Sequence, residues 1–281
     1  MDCTATSLSY EQTGFFSKTV KDYVNGTAAL QPFYKYPVSI EGIQASIGER
    51  KKFATDRALL VSALQQQYES VLLSEPVAKN IKLLQLENTF TITTAHQPNI
   101  FTGPLYFIYK ILHVAKLAEQ LSARLPENNF VPVYYMGSED ADLDELGHFF
   151  INGEKYEWKT GQTGAVGRMK VDKALVELVE LISGQLLVQP FGAAIIAMMK
   201  ECYVLGTSIE QATFQLVHRL FAEYGVVVLL PDSAILKAAF KTVIAKELTT
   251  EFSHIAVQET VQNLPADYKV QASGRELNMF Y

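Results

Sequence analysis

Two short runs, TFTITTA (89–95) and FVPVYYMG (130–137), are rich in β-branched and aromatic residues, with one amphipathic stretch between them. Each run reads as a strand. The stretch between them, opened by Gly103-Pro104 and running to about Leu125, reads as a helix with Leu105, Ile108, Leu112, Ala115, Ala118 and Leu121 as its buried stripe. A third run, VVVLLP (226–231), has the unbroken apolar character of a strand buried on both faces. Asp232 or Ser233 then caps a helix to about Thr249. Strands alternating with helices predict an α/β fold with a parallel sheet flanked by helices.

Around this core, residues 40–86 carry helical periodicity, which two helices joined near 48–55 account for, and a short helix is expected at 17–24. The expected organisation is an N-terminal helical lead-in over 1–88 packed on the core, a core over 89–251, and the start of a further segment over 252–281. An insertion at about 149–205 interrupts the alternation. It holds a hairpin turning at Asn152-Gly153, an extended piece at 164–172 (GAVGRMKVD), and helices at 173–184 and 190–205. A last helix, 208–224, leads into the third strand.

Composition narrows the function. A net charge of −6 disfavours a nucleic-acid partner, which draws on clustered Lys and Arg. No segment approaches the roughly 18 apolar residues of a membrane span, and the N-terminus lacks the pattern of a secretory signal, so a cytoplasmic protein is expected. Cys3 and Cys202 are not a close-spaced pair, which argues against a disulfide framework or Cys-rich zinc site. Cys202 reads as a buried thiol, and His113, His218 and His254 as structural. No metal site is expected, and GxGxxG, GxxxxGK[ST] and GxSxG are all missing.

In an open α/β sheet, ligands bind beyond the carboxyl ends of the strands, beside helix N-termini. The sequence places polar residues at two such ends. After the first strand come His96, Gln97, Asn99, Thr102, Gly103 and Pro104. A helix N-terminus there favours phosphate or carboxylate, Gly103 lets backbone approach a ligand, and Lys110 adds a charge further along. The alternative is a tight turn whose polar residues satisfy backbone groups. After the second strand comes SEDADLDE, five carboxylates in eight residues. If helical, it puts Asp140 and Asp144 on one face and Asp142 and Glu145 on another, with Ser138 as a cap beside Glu139. It is either a capped acidic solvent face or a pocket for ammonium groups or Mg²⁺. His148 behind it is a base, a donor or a structural residue. Arg168 either forks onto a carboxylate or phosphate or is an exposed strand residue.

Four ordered stretches resemble one family. TTAHQPNIFTGPLYFIYK, MGSEDADLDELGH, TGAVGRM and the tail GRELNMFY are similar to motifs of the bacillithiol biosynthesis family BshC. The resemblance implies a Rossmann-like core of the nucleotidyltransferase type, related to class I aminoacyl-tRNA synthetases. It implies a ligase that joins L-cysteine to the amine of glucosaminyl-malate by amide bond formation. The first stretch would occupy the place of the synthetases' HIGH signature, carrying over His96, Gln97, Thr102, Gly103, Pro104, Tyr106 and Lys110. Glu139, Asp140, Asp142, Asp144, Glu145 and His148 carry over from the second stretch, and Arg168 from the third. His96, Asp140 and His148 are the catalytic candidates, and the others bind substrate or nucleotide.

The candidate activating cosubstrate is ATP with Mg²⁺, and no tightly bound cofactor is expected. This chain departs from the family pattern at Ala95, His96, Asn99 and Ala141. Family members are about twice as long and are expected to dimerise through a later coiled coil, so a truncated form is expected here. Three other readings compete: a binding module without turnover, a synthetase-like nucleotidyltransferase acting on another amine, and a tRNA-binding synthetase remnant, which the acidic balance disfavours.

Overall fold

The computed structural model describes residues 4–277 and residue 279. Cys3 and, from the tail motif, Asn278, Phe280 and Tyr281 lie outside the described residues. The chain divides into two compact units, Met1–Ala54 with Ala239–Tyr281, and Thr55–Ala238. In the first unit lie α1 (Tyr10–Thr13), α2 (Lys18–Val24) and α3 (Ile40–Arg50). Ser9, Ser17 and Ser39 cap them, each accepting a hydrogen bond from a backbone N–H of the first turn.

The second unit opens with α4 (Arg57–Tyr68) and α5 (Glu75–Leu83). Residues 40–86 therefore hold three helices rather than two. α4 and α5 belong to the unit that contains the sheet, while the earlier helices belong to the other. Strand β1 (Thr89–His96), helix α6 (Tyr106–Arg124) and strand β2 (Asn129–Met136) follow as expected. The strands are parallel and in register from Thr89 opposite Asn129 to His96 opposite Met136. The stripe on α6 differs: Phe107, Ile111, Val114, Ala118 and Leu121 are buried, whereas Leu105 is exposed. The helix is apolar on more than one face, so periodicity alone allows two registers one residue apart, and the bulkier Phe107 takes the core position against Tyr134.

Beyond β2 come a single helical turn, α7 (Leu143–Leu146), and the hairpin β3 (His148–Ile151) and β4 (Glu154–Glu157). Asn152 and Gly153 both have positive φ, as a two-residue turn matching the strand twist requires. Residues 164–172 are not a plain extended piece. Val166–Arg168 closes a 3-10 turn, and only Lys170 makes an isolated bridge, to Ser208. Helices α8 (Lys173–Leu186), α9 (Gly192–Cys202) and α10 (Ile209–Phe221) lead to β5 (Val227–Leu229), which adds parallel to β2. The sheet order is β1-β2-β5. Helix α4 shields the outer edge of β5. The Gln67 side chain donates to Val228 O and accepts from Leu230 N, and the Tyr68 hydroxyl accepts from Val228 N.

Two apolar clusters hold this unit. One lies between the sheet and α4, α5, α6 and α10, with Tyr134, Phe107, Phe214 and Leu64 deeply buried. The other gathers Leu146, Phe149, Trp158, Val166, Leu175, Ile182 and Tyr203 with Ile100 and Phe101. The inserted segment thus has a core of its own, and the β1–α6 loop reaches into it.

After β5 the expected single helix is two: α11 (Ala234–Ala239) and α12 (Lys241–Thr250), divided at Phe240. Helix α13 (Phe252–Asn263) follows, its Ser253 N–H bonded to the buried carboxylate of Glu247. No helix among the described residues is long and apolar enough to cross a membrane.

Candidate functional site

Because β1 and β2 are parallel and in register, their carboxyl ends finish side by side. Gly137 N donates to His96 O (2.9 Å), so the pairing continues one step past the strands. The buried Tyr134 hydroxyl donates to His96 O (3.1 Å) from below. The trailing segments then meet directly: Gln97 Nε2 donates to Asp140 Oδ2 at 3.0 Å.

His96 is half-buried and has both ring nitrogens engaged. Nδ1 is 3.1 Å from Gln97 O, and Nε2 is 2.9 Å from the Tyr106 hydroxyl. A carbonyl can only accept, so Nδ1 carries the proton and Nε2 accepts from Tyr106. Burial pushes the imidazole pKa down, the Gln97 carbonyl opposes that, and Lys110 adds to it. The ring is therefore neutral near pH 7.

Between β1 and α6 the backbone is strained. Phe101, Thr102 and Gly103 have φ of 51°, 74° and 60° in succession, a region that a β-branched Thr rarely enters. The Tyr203 hydroxyl accepts from Phe101 N (3.2 Å), and the Phe101 ring packs edge-on against Phe149 and Tyr203. A Cβ at Gly103 would lie 2.7 Å from Asn99 Cβ, so positive φ and close approach both demand glycine there. Asn99 is buried, with Nδ2 near Glu145 O (3.5 Å) and Oδ1 without a hydrogen-bond partner. Pro104 and Tyr106 are exposed, Thr102 is half-buried, and α6 begins without a side-chain cap, its Phe107 and Ile108 N–H groups donating instead to Pro104 O (3.0 Å) and Leu105 O (3.1 Å), so the expected anion site at this helix start is closed by backbone. Lys110 does not point free charge at that turn: its Nζ donates to Ala95 O at 2.6 Å.

The acidic segment is not one helical face. Only Leu143–Leu146 is helical, and its cap is Asp142, whose Oδ1 accepts from Glu145 N, so Ser138 does not serve as cap. Asp140 uses one oxygen for Gln97 and the other for Asp142 N. Asp144 and Glu145 are exposed, and the Asp144 carbonyl accepts from His148 Nδ1 (2.8 Å). His148 stands on β3 with its ring edge-on to Phe150, and no described contact joins it to His96 or Asp140.

Arg168 forks onto Asp232, with Nε 2.6 Å from Oδ2 and a terminal nitrogen 2.9 Å from Oδ1. The 3-10 turn holding Arg168 is docked on the segment after β2: Val166 N donates to Asp140 O (2.7 Å) and Gly167 N to Ser138 O (3.0 Å). A Cβ on Gly167 would lie 2.4 Å from that Ser138 oxygen. This explains why GAVGRM carries a glycine before its arginine.

Three further residues belong here that the sequence reading did not select as ligands. Asp232, at the end of β5, also accepts from Lys237 Nζ (2.6 Å), and Lys237 pairs with Glu139. The Arg168 guanidinium and Lys237 hold the Asp232 carboxyl down at about 2. Glu210, in the first turn of α10, is half-buried; burial pushes its pKa up, and the nearby Ser138 hydroxyl opposes that. Position after a strand marked Asp232 in advance, but nothing local marks Glu210, which arrives through tertiary packing. Glu210, Asp232, Ser233 and Gln66 line a cleft of about 350 Å³ at the end of β5. Elsewhere Cys202 is buried and its thiol pushed up to about 11 by burial. Among the described residues no group of three or more His, Cys, Asp or Glu is arranged to hold a metal ion.

The fold is that of a Rossmann-like domain. The family model described as "Bacillithiol biosynthesis BshC, N-terminal Rossmann-like domain" matches residues 1–281, and the chain belongs to that family. Among curated relatives, proteins named "Putative cysteine ligase BshC" are 38% identical in Flavobacterium johnsoniae, 40% in Flavobacterium psychrophilum and 40% in Cytophaga hutchinsonii. Each match covers 98% of this chain and 52% of the relative, so the chain spans about half the length of the curated relatives it matches.

Proposed function

We propose that the strand-end cleft forms an amide between L-cysteine and the amine of glucosaminyl-malate, as a cysteine-adding ligase of bacillithiol synthesis. The names of the relatives support the substrate class. The observation that carries the reading is the Gln97–Asp140 hydrogen bond, which makes one site of two loops, one rich in donors and the other in carboxylates.

An amide cannot form from a free carboxylate without activation, because oxide is a poor leaving group. ATP with Mg²⁺ would supply it as a mixed anhydride. Neutral His96 can exchange Tyr106 for substrate at Nε2. Asp140, with both oxygens engaged, acts by positioning Gln97 and the acidic loop rather than as the base.

The test is mass spectrometry of this chain incubated with L-cysteine, glucosaminyl-malate, ATP and Mg²⁺. The expected result is the condensed product from the native sequence and none from a variant carrying both His96→Ala and Asp140→Ala. No product from the native sequence, or equal product from the variant, refutes the proposal. A second reading, binding without turnover, is favoured by Lys110 and Arg168 being engaged internally. Calorimetric binding of the same ligands with no product would establish it.

A further inference from the structure

The hydrogen-bond donors at the end of β1 are turned inward. Gln97 Nε2 donates to Asp140, Lys110 Nζ donates to Ala95 O, and the Phe107 and Ile108 N–H groups donate to Pro104 O and Leu105 O. What His96 offers at this end is an acceptor. Its Nδ1 holds the ring proton on Gln97 O, so Nε2 is a lone pair, and the Tyr106 hydroxyl donates to it at 2.9 Å.

The two partners of the ring differ in how firmly they are held. Gln97 O is backbone and also accepts from Asn99 N at 2.9 Å, so the proton on Nδ1 has a fixed acceptor. Tyr106 is 50% exposed and belongs to neither apolar cluster. Its side chain can turn into water for the loss of one net hydrogen bond, which leaves Nε2 open.

Three kinds of group can then take its place. A phosphate or carboxylate oxygen brings no proton and would set one lone pair against another. An ammonium brings protons with a positive charge, and Lys110 acts on the ring more strongly than the opposing Glu145 does. A neutral hydroxyl, the group that Tyr106 itself supplies, meets both conditions.

We propose that His96 Nε2 is a subsite for a neutral hydroxyl of the substrate, and that the Tyr106 hydroxyl occupies it as a latch in the free protein. His96 thereby accepts a proton from its ligand and is not a donor to phosphate. The inference rests on the amide-forming reading only for which hydroxyl-bearing molecule enters.

The experiment is nitrogen-15 NMR of the chain labelled at histidine, with His96 assigned from the resonances lost in His96→Gln. The probes are glucosaminyl-malate, which carries sugar hydroxyls, and, separately, ATP with Mg²⁺. The free chain is expected to show His96 protonated at Nδ1 and bare at Nε2. Glucosaminyl-malate is expected to move the Nε2 resonance with that tautomer kept, and ATP to leave it in place. Tyr106→Phe keeps the ring and removes the latch. It is expected to bind glucosaminyl-malate about five-fold tighter, the factor that one net hydrogen bond is worth. Emission from Trp158, buried in the same unit, reports whether each variant is folded. A proton on Nε2 in the free chain, no response to glucosaminyl-malate, a response to ATP, or unchanged or weaker binding by Tyr106→Phe overturns the subsite. The two proposals fail separately. Tighter binding by Tyr106→Phe without product from the native sequence sinks the ligase reading alone, and product formation with Tyr106→Phe binding unchanged sinks the subsite alone.

Discussion

Replacing Gly167 by alanine isolates the step by which a surface arginine becomes a site residue. The glycine is required for close approach and not for backbone conformation. Its added Cβ would meet Ser138 O at 2.4 Å and Ser138 Cβ at 2.6 Å, and a backbone oxygen cannot swing aside as a side chain can. The 3-10 turn must therefore lift off the segment after β2. It then loses the hydrogen bonds from Val166 N to Asp140 O and from Gly167 N to Ser138 O. Two such bonds are worth about 2 kcal/mol together, and residual overpacking adds about 1 kcal/mol or more. A loss of about 3 kcal/mol, with a urea slope of about 2 kcal/mol/M, lowers the unfolding midpoint by about 1.5 M. Trp158 is the chain's only tryptophan and sits in the apolar cluster that contains Val166, so its emission reports this unit and not the other. Gly161→Ala is the control, since a Cβ there meets nothing within 4 Å. If Gly167→Ala lowers the midpoint no more than Gly161→Ala, the docking of Arg168 does not depend on that contact.

Two further outcomes follow from the same geometry. Tyr203→Phe removes the acceptor of the buried Phe101 N–H and should cost about 1–3 kcal/mol in urea unfolding read by Trp158; a change under about 0.5 kcal/mol would mean that the strained loop holds itself. Asp232 has a depressed pKa, so its contribution to stability is complete above the usual carboxylate value of 3.8 and is lost as pH falls toward about 2. Asp232→Asn should therefore narrow the stability difference between pH 6 and pH 2.5, and an unchanged difference would refute the ion-pair assignment.

How much the sequence disclosed depended on how local the cause was. The strands and α6 followed from runs of β-branched residues and from Gly103-Pro104, because those signals act over a few residues. The hairpin turn at Asn152-Gly153 was legible for the same reason: two left-handed positions in a row are a local demand. The buried face of α6 was not, since Leu105, Ile108 and Leu112 offer as good a stripe as Phe107, Ile111 and Val114 until the sheet chooses between them. Lys110 and Arg168 were legible as charged residues near the site, but their partners, Ala95 O and Asp232, are set by tertiary contact. Glu210 lies 72 positions from Ser138 and comes beside it only through the tertiary packing of α10.

The inserted segment has a physical reason to exist. The sheet and its flanking helices close a core of their own with residues of β2, β5, α4, α5, α6 and α10, without residues 149–205. What that core does not supply is support for Phe101 and Thr102, whose φ values cost roughly 1–3 kcal/mol each when nothing compensates. Phe149 and Tyr203, at opposite ends of the segment, supply that support through ring packing and one hydrogen bond to the Phe101 amide. Val166, from the same segment, anchors the turn that brings Arg168 to Asp232. The strained loop and the 3-10 turn are therefore braced by one apolar cluster, which meets Asp140 only through the Val166 N–H on its backbone carbonyl. A loss of packing there, for example at Leu175 or Ile182, would reach the site through the strained loop and the 3-10 turn together, and no active-site side chain would need to change.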